Sequence, residues 1–139
     1  MKRQKRSEVD LKMTRFFVST VTLFILLSAS AQSIQSKSIS YIEMTSTWIH
    51  IYDERGKVYY TDTRSRFGDV VGYSSTFFII KRGSFYVLYD TAIRPLKTMS
   101  ISNVGEILSV TGDSFTARKG SFVTTYDKTG KSLRTRTVP

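Results

Sequence analysis

The chain has 139 residues, with 21 Lys+Arg against 11 Asp+Glu, one His and no Cys, and a formal charge of +10. Its length suits one domain, and 40 % apolar residues with only two Pro exclude collagen-like and disordered chains. The lack of Cys excludes disulfide frameworks, thiolate zinc sites, iron–sulfur ligation and thiol nucleophiles.

At the N-terminus, Lys2, Arg3, Lys5, Arg6, Lys12 and Arg15 stand against Glu8 and Asp10. Phe16 to Leu27 then runs for twelve residues without a charge, and Ser28-Ala29-Ser30-Ala31 supplies the small-residue pattern that signal peptidase cuts. Residues 1–31 therefore read as a secretory signal peptide, cleaved after Ala31. The apolar core is short of the roughly 20 residues that cross a bilayer, so the signal peptide is the only expected contact with a membrane. The protein is expected to be secreted or periplasmic. Met13-Thr14-Arg15 would open a conventional signal peptide by itself, so Met1 and Met13 both stand as possible starts. Cleavage leaves 15 Lys+Arg against nine Asp+Glu in residues 32–139, a net charge of +6.

The remaining 108 residues match themselves without a gap at an offset of 37. The copies cover about 32–65, 66–102 and 103–139. Tyr52-Asp53 returns as Tyr89-Asp90 and Tyr126-Asp127, and Thr61 returns as Thr98 and Thr135. An aromatic opens each unit at Tyr41, Phe78 and Phe115. A hydroxyl followed by an aromatic recurs at Thr47-Trp48, Ser84-Phe85 and Ser121-Phe122, and a cation recurs at Lys57, Arg94 and Lys131. Gly68-Asp69-Val70-Val71 matches Gly105-Glu106-Ile107-Leu108 in the same register. Repeats of this length mark stacked arrays, in which each unit completes its neighbour's core.

Within a unit the apolar period is two, punctuated by Gly, Asp and Ser, which predicts strands joined by tight turns. The second copy reads as strand A over Asp69 to Ser74, B over Thr76 to Lys81, C over Phe85 to Asp90 and D over Leu96 to Ser102. Ser33 to Lys37 is a poor match to strand A in the first copy. Lys81-Arg82-Gly83-Ser84 and Arg118-Lys119-Gly120-Ser121 read as B–C hairpin turns, with Gly at positive φ. Asp53 to Lys57 and Asp127 to Lys131 read as C–D turns in which Asp bonds nearby backbone N–H groups. The second copy has Ile93-Arg94-Pro95 in place of the Gly, and a different turn is expected there. Alternation aligns Trp48, His50 and Tyr52 with Phe85, Val87 and Tyr89 and with Phe122, Thr124 and Tyr126 as the packed face of strand C.

A four-stranded unit of about this length, with a Gly-led first strand and a Tyr-Asp-x-x-Gly-Lys-x-Leu type of C–D turn, resembles a β-propeller blade of the quinoprotein-like kind. The resemblance implies an all-β fold of three four-stranded antiparallel repeats. Three blades fall short of the four to eight of a closed ring, which implies a homodimer or a partner protein that completes it. The β-trefoil is the competing resemblance, since it too has three copies of four strands and closes alone. The tyrosine-aspartate repeat of bacterial shell proteins shares Tyr-Asp-x-x-Gly, but that repeat is nearer 20 residues.

Candidate chemistry is sparse. His50 lacks the second His or Cys that a metal site would use, and Val87 and Thr124 replace it in the other copies, so it reads as a packed residue. The three Tyr-Asp aspartates read as turn caps rather than as acid/base groups. No phosphate-binding glycine loop occurs, and no cofactor or metal is expected. The remaining functional feature is a basic rim. Arg64, Arg66, Lys81, Arg82, Arg118 and Lys119 are expected at one end of the strands, where they could draw an anionic glycan or lipid headgroup. Nucleic acid is not an expected partner of an exported protein. Lys57, Arg94 and Lys131 mark the opposite rim, which also fits an ordinary solvated surface. The expected function is an exported, non-enzymatic binding or scaffolding module. A carbohydrate-binding trefoil and a small hydrolase remnant are the alternatives.

Overall fold

The computed structural model describes residues 37–139; the expected signal peptide and cleavage point, and most of the segment matched to the first strand A, lie outside the described residues. The described strands form three antiparallel sheets, each a meander in chain order. Sheet 1 holds β1 (Ile39–Met44), β2 (Trp48–Asp53) and β3 (Val58–Thr63). One helical turn, α1 (Arg64–Phe67), leads to sheet 2, which holds β4 (Asp69–Tyr73), β5 (Phe77–Arg82), β6 (Phe85–Asp90) and β7 (Pro95–Ser100). A second turn, α2 (Ile101–Val104), leads to sheet 3, with β8 (Glu106–Thr111), β9 (Ser114–Lys119), β10 (Phe122–Asp127) and β11 (Ser132–Thr137). The chain is all-β and built from repeated sheet units.

The ladders carry the 37-residue offset in detail. The C–D pairing slips by one residue at Tyr52, at Tyr89 and at Tyr126, and the A–B pairing slips between Val70 and Gly72 and between Ile107 and Ser109. Bulges at equivalent places give each sheet the same local twist. The two helical turns were not anticipated from the alternation, which ran strand D on to Ser102. Each turn ends at a glycine at positive φ, Gly68 at 111° and Gly105 at 85°. Their N–H groups donate to Arg64 O at 2.9 Å and Ile101 O at 2.8 Å, closing one helical turn.

The C–D turns are the same in all three sheets. Asp53 N–H donates to Lys57 O, Asp90 N–H to Arg94 O and Asp127 N–H to Lys131 O, at 2.9–3.0 Å. A different turn was expected in the second copy, but Ile93 adopts φ 62° and takes the place that Gly56 and Gly130 hold. A β-branched side chain is strained there. Ile93 offsets this by packing against the core between sheets 1 and 2.

Sheet 2 is the middle layer, and both of its faces are covered. Phe78, Ile80, Val87 and Tyr89 bury themselves with Ile39, Ile42, Ile49, Ile51 and Phe67 on the sheet 1 side. Phe77, Ile79, Tyr86 and Leu88 do so with Val104, Phe115 and Ala117 on the sheet 3 side. Phe67 and Val104, each the last residue of its helical turn, fill equivalent places 37 residues apart. The expected packed face of strand C holds for Val87 and Tyr89, fails for Phe85 and Phe122, which are exposed, and is corrected in sheet 1. There Ile49 and Ile51 are the buried residues, while Trp48 is 46 % exposed. Sheet 1 has a neighbour on its Ile49 side only, among the described residues.

Close approach at the corners explains Gly105. A Cβ at that position would collide with the carbonyl oxygen of Arg118, whereas at Gly83, also at positive φ, it would meet nothing within 4 Å. Gly105→Ala is expected to cost clearly more than Gly83→Ala, whose penalty is the backbone strain of about 1–2 kcal/mol. Equal losses in urea unfolding would refute that close approach.

Candidate functional site

Each Tyr-Asp aspartate is consumed by its own turn. Asp53 Oδ1 accepts from the N–H groups of Arg55 and Lys57, both at 3.0 Å. Asp90 Oδ1 accepts from Ala92 and Arg94 at 2.9 Å, and Asp127 Oδ1 from Thr129 at 2.9 Å and Lys131 at 3.0 Å. The Lys57 N–H bond holds the Asp53 carboxyl below its ordinary range, and the hydroxyl of Thr129 and the N–H of Lys131 do the same for Asp127. Arg94 Nε also reaches Asp90 Oδ2 at 3.0 Å. The carboxylates sit in three separate turns on three separate sheets, and the structure does not gather them into one site.

The tyrosines of the same motif make cross-strand aromatic pairs. Phe78 stacks on Tyr89 with centroids 5.3 Å apart, and Phe115 on Tyr126 at 5.1 Å. Tyr41 and Tyr52 are the corresponding pair in sheet 1, tilted and 5.7 Å apart. This pair lies on the open face of sheet 1 with Glu43, Trp48, His50 and Thr61. Tyr52 Oη donates to Glu43 Oε2 at 2.9 Å, which pushes the phenol pKa up. His50 Nδ1 and the Thr61 hydroxyl share a hydrogen bond of 3.0 Å. The sequence held a signal for this open face: Glu43 and His50 occupy the positions that Ile80 and Val87 fill in sheet 2.

The six cations of the expected rim divide between two corners. Around the first, Arg64 pairs with Asp69 at 2.9 Å and donates to Thr45 O at 2.9 Å. Arg82 donates to Phe67 O at 2.9 Å and to Tyr89 Oη at 3.2 Å, with its guanidinium over the Phe67 ring. Arg66 and Arg82 lie close enough to Asp62 to influence it. Burial alone would raise that carboxyl, but the Tyr60 hydroxyl, the Thr63 N–H and these two cations bring it below its ordinary range. Tyr60 itself is pushed up to about 12 by burial and by Asp62. At the second corner Arg118 donates to Gly120 O at 3.0 Å. Lys81 and Lys119 are exposed and have no ion-pair partner among the described residues.

At the opposite end of the strands, a cleft of about 280 Å³ opens near Lys37, Thr76, Asp90 and Lys128. Its walls are bound to each other: Thr76 Oγ1 donates to Gly112 O at 2.9 Å and to Asp113 Oδ1 at 2.6 Å, and Lys128 pairs with Asp113 at 3.2 Å. The Thr76 bonds fasten sheet 2 to sheet 3, and the Lys128–Asp113 pair ties two turns of sheet 3 together. No protein-family model matches the chain, and no curated protein matches it significantly.

Proposed function

We propose that the chain is an exported, non-enzymatic binding and scaffolding module whose three sheets are successive propeller-like blades. The observation that carries this is the uniform use of the repeated Tyr-Asp pairs. All three aspartates close turns and all three tyrosines make aromatic pairs, so the groups that a hydrolase would need are committed to the fold. What supports blades rather than a trefoil is that each ladder is confined to its own sheet and successive sheets meet face to face.

The anionic-partner version of this reading rests on Lys81 and Lys119, exposed rim cations with no ion-pair partner among the described residues. With Arg64, Arg82 and Arg118 bonded to nearby oxygens of the chain and Arg66 exposed beside them, the rim keeps a positive potential that attracts an acidic glycan or lipid headgroup. Binding to immobilised heparin is expected to weaken about tenfold when Lys81 and Lys119 are both replaced by Ala, and to fall as salt screens exposed charge. Melting temperature should not move. Binding unaffected by either change would sink the anionic version.

A further inference from the structure

We propose that two copies of the chain close head to tail, the open face of sheet 1 in each seating on the open face of sheet 3 in the other. The inference rests on the blade reading and deepens it by naming the partner. Both seams within the chain use the same parts. The Phe78/Tyr89 pair lies in the seam between sheets 1 and 2, and the Phe115/Tyr126 pair in the seam between sheets 2 and 3. Tyr41 and Tyr52 form that pair once more, on a face where Tyr41 is 51 % and Trp48 46 % exposed.

The C–D turn makes a second repeated contact. A Cβ at Gly130 would come within 2.6 Å of Lys97 Cγ and 3.2 Å of Met99 Sδ, so this turn of sheet 3 sits directly on β7 of sheet 2. The equivalent residues at the ends of the stack are Gly56, two repeats before Gly130, and Arg134 and Arg136, one repeat after Lys97 and Met99. Gly56 has nothing within 4 Å of its Cβ direction, and both arginines are exposed. Each is one half of a contact whose other half stands at the far end of the same chain.

Charge separates the two end faces in the same sense. Register places Arg118 and Arg136 beside Val123, and Arg134 beside Thr125, on the open face of sheet 3. Glu106 lies opposite Arg118 on that face and Asp127 follows Val123 and Thr125 along it, leaving three cations against two anions, one of them bound into its own turn. The sheet 1 face offers Glu43 and the rings of Tyr41, Trp48 and Tyr52, and the adjoining turn carries Glu54 together with Arg55 and Lys57. Guanidinium groups pair with carboxylates and stack on aromatic faces, so the two surfaces complement each other. The seam joins unlike faces, so two copies give two identical seams and leave neither end open.

The test is the native mass of the full chain by light scattering over a dilution series, with emission from Trp48, the chain's only tryptophan, read in parallel. The expected result is a dimer whose Trp48 emission shifts to the red as dilution or salt separates it. The double variant Arg134→Glu/Arg136→Glu and the double variant Tyr41→Arg/Glu43→Arg should each raise the dissociation constant about 100-fold or more through like-charge contact at the seam. All four positions lie on open faces, and an unchanged far-UV spectrum will show that each variant is folded. Mixing the two variants should restore association, because the intact sheet 1 face of one meets the intact sheet 3 face of the other. A monomer at every concentration overturns the proposal. It would leave the module reading in place if heparin binding persisted, and a buried Trp48 in that monomer would mean that another part of the chain covers the face. A sheet 3 variant that still dimerises alone also overturns it, since sheet 1 would then be pairing with itself.

Discussion

Phe78→Ala is expected to destabilise the protein by about 3–5 kcal/mol, the usual cost of emptying a buried phenylalanine site. Phe78 is fully buried in the middle sheet. Its ring stacks on Tyr89 at 5.3 Å and lies 6.1 Å from Phe67, so its loss leaves a hole against sheet 1. Phe77, the preceding residue, points to the other face and meets Phe115 at 6.4 Å. Phe77→Ala should therefore cost a similar amount by opening the opposite seam. Single domains have about 5–15 kcal/mol in total, so either change removes a large share of it. Phe85 on the adjacent strand β6 and Phe122 on β10 of sheet 3 are the internal controls, being the same residue type but 51 % and 55 % exposed. Their replacement by Ala should shift stability by about 0.5 kcal/mol or less. Chemical denaturation of the four variants decides the matter. Equal losses for Phe78 and Phe85 would mean that the sheets do not stack with sheet 2 in the middle.

The contrast between Phe78 and Phe85 also shows where sequence reasoning succeeded and where it stopped. The offset of 37 and the hairpin glycines were legible because turn chemistry is local: an Asp that bonds N–H groups two and four residues on needs no distant partner. The second C–D turn was misread for the same reason. Pro95 and the missing Gly argued for another geometry, yet Ile93 holds positive φ because its side chain finds the core between sheets 1 and 2. The packed face of strand C was only partly legible. Alternation tells which residues share a face, but which face is covered depends on the neighbouring sheet. In sheet 1 the covered face is that of Ile49 and Ile51, and the aromatic face is left open. The basic rim was legible as composition alone. That Arg82 donates to Phe67 O and Arg64 pairs with Asp69 follows from the helical corner, which the period-two pattern gave no reason to expect.

The acid limb of stability should trace to the turn aspartates. Asp53 and Asp127 have carboxyls held below the ordinary 3.8, so folding favours their charged form. A group depressed in the folded state adds stability that is fully present above its unfolded value and disappears as pH falls through the folded one. Melting temperature is thus expected to be level from neutral pH to about 5 and to drop below about pH 4, as these caps are protonated together with Asp113, whose carboxylate takes the Thr76 hydroxyl and Lys128. Asp53→Asn and Asp127→Asn should lower melting temperature at pH 7 and flatten the drop at low pH, because the amide oxygen cannot gain or lose the charge that the N–H groups favour. Asp90→Ala should cost about 1–3 kcal/mol at pH 7, since two N–H groups and the Arg94 guanidinium lose a charged acceptor. The same variants separate the module from a hydrolase. Catalytic carboxylates can be replaced with loss of turnover and little loss of stability, whereas caps fail in the opposite order. Unchanged melting curves for all three variants, at pH 7 and at pH 3, would break the link between the Tyr-Asp repeat and the turns and reopen the aspartates as reacting groups.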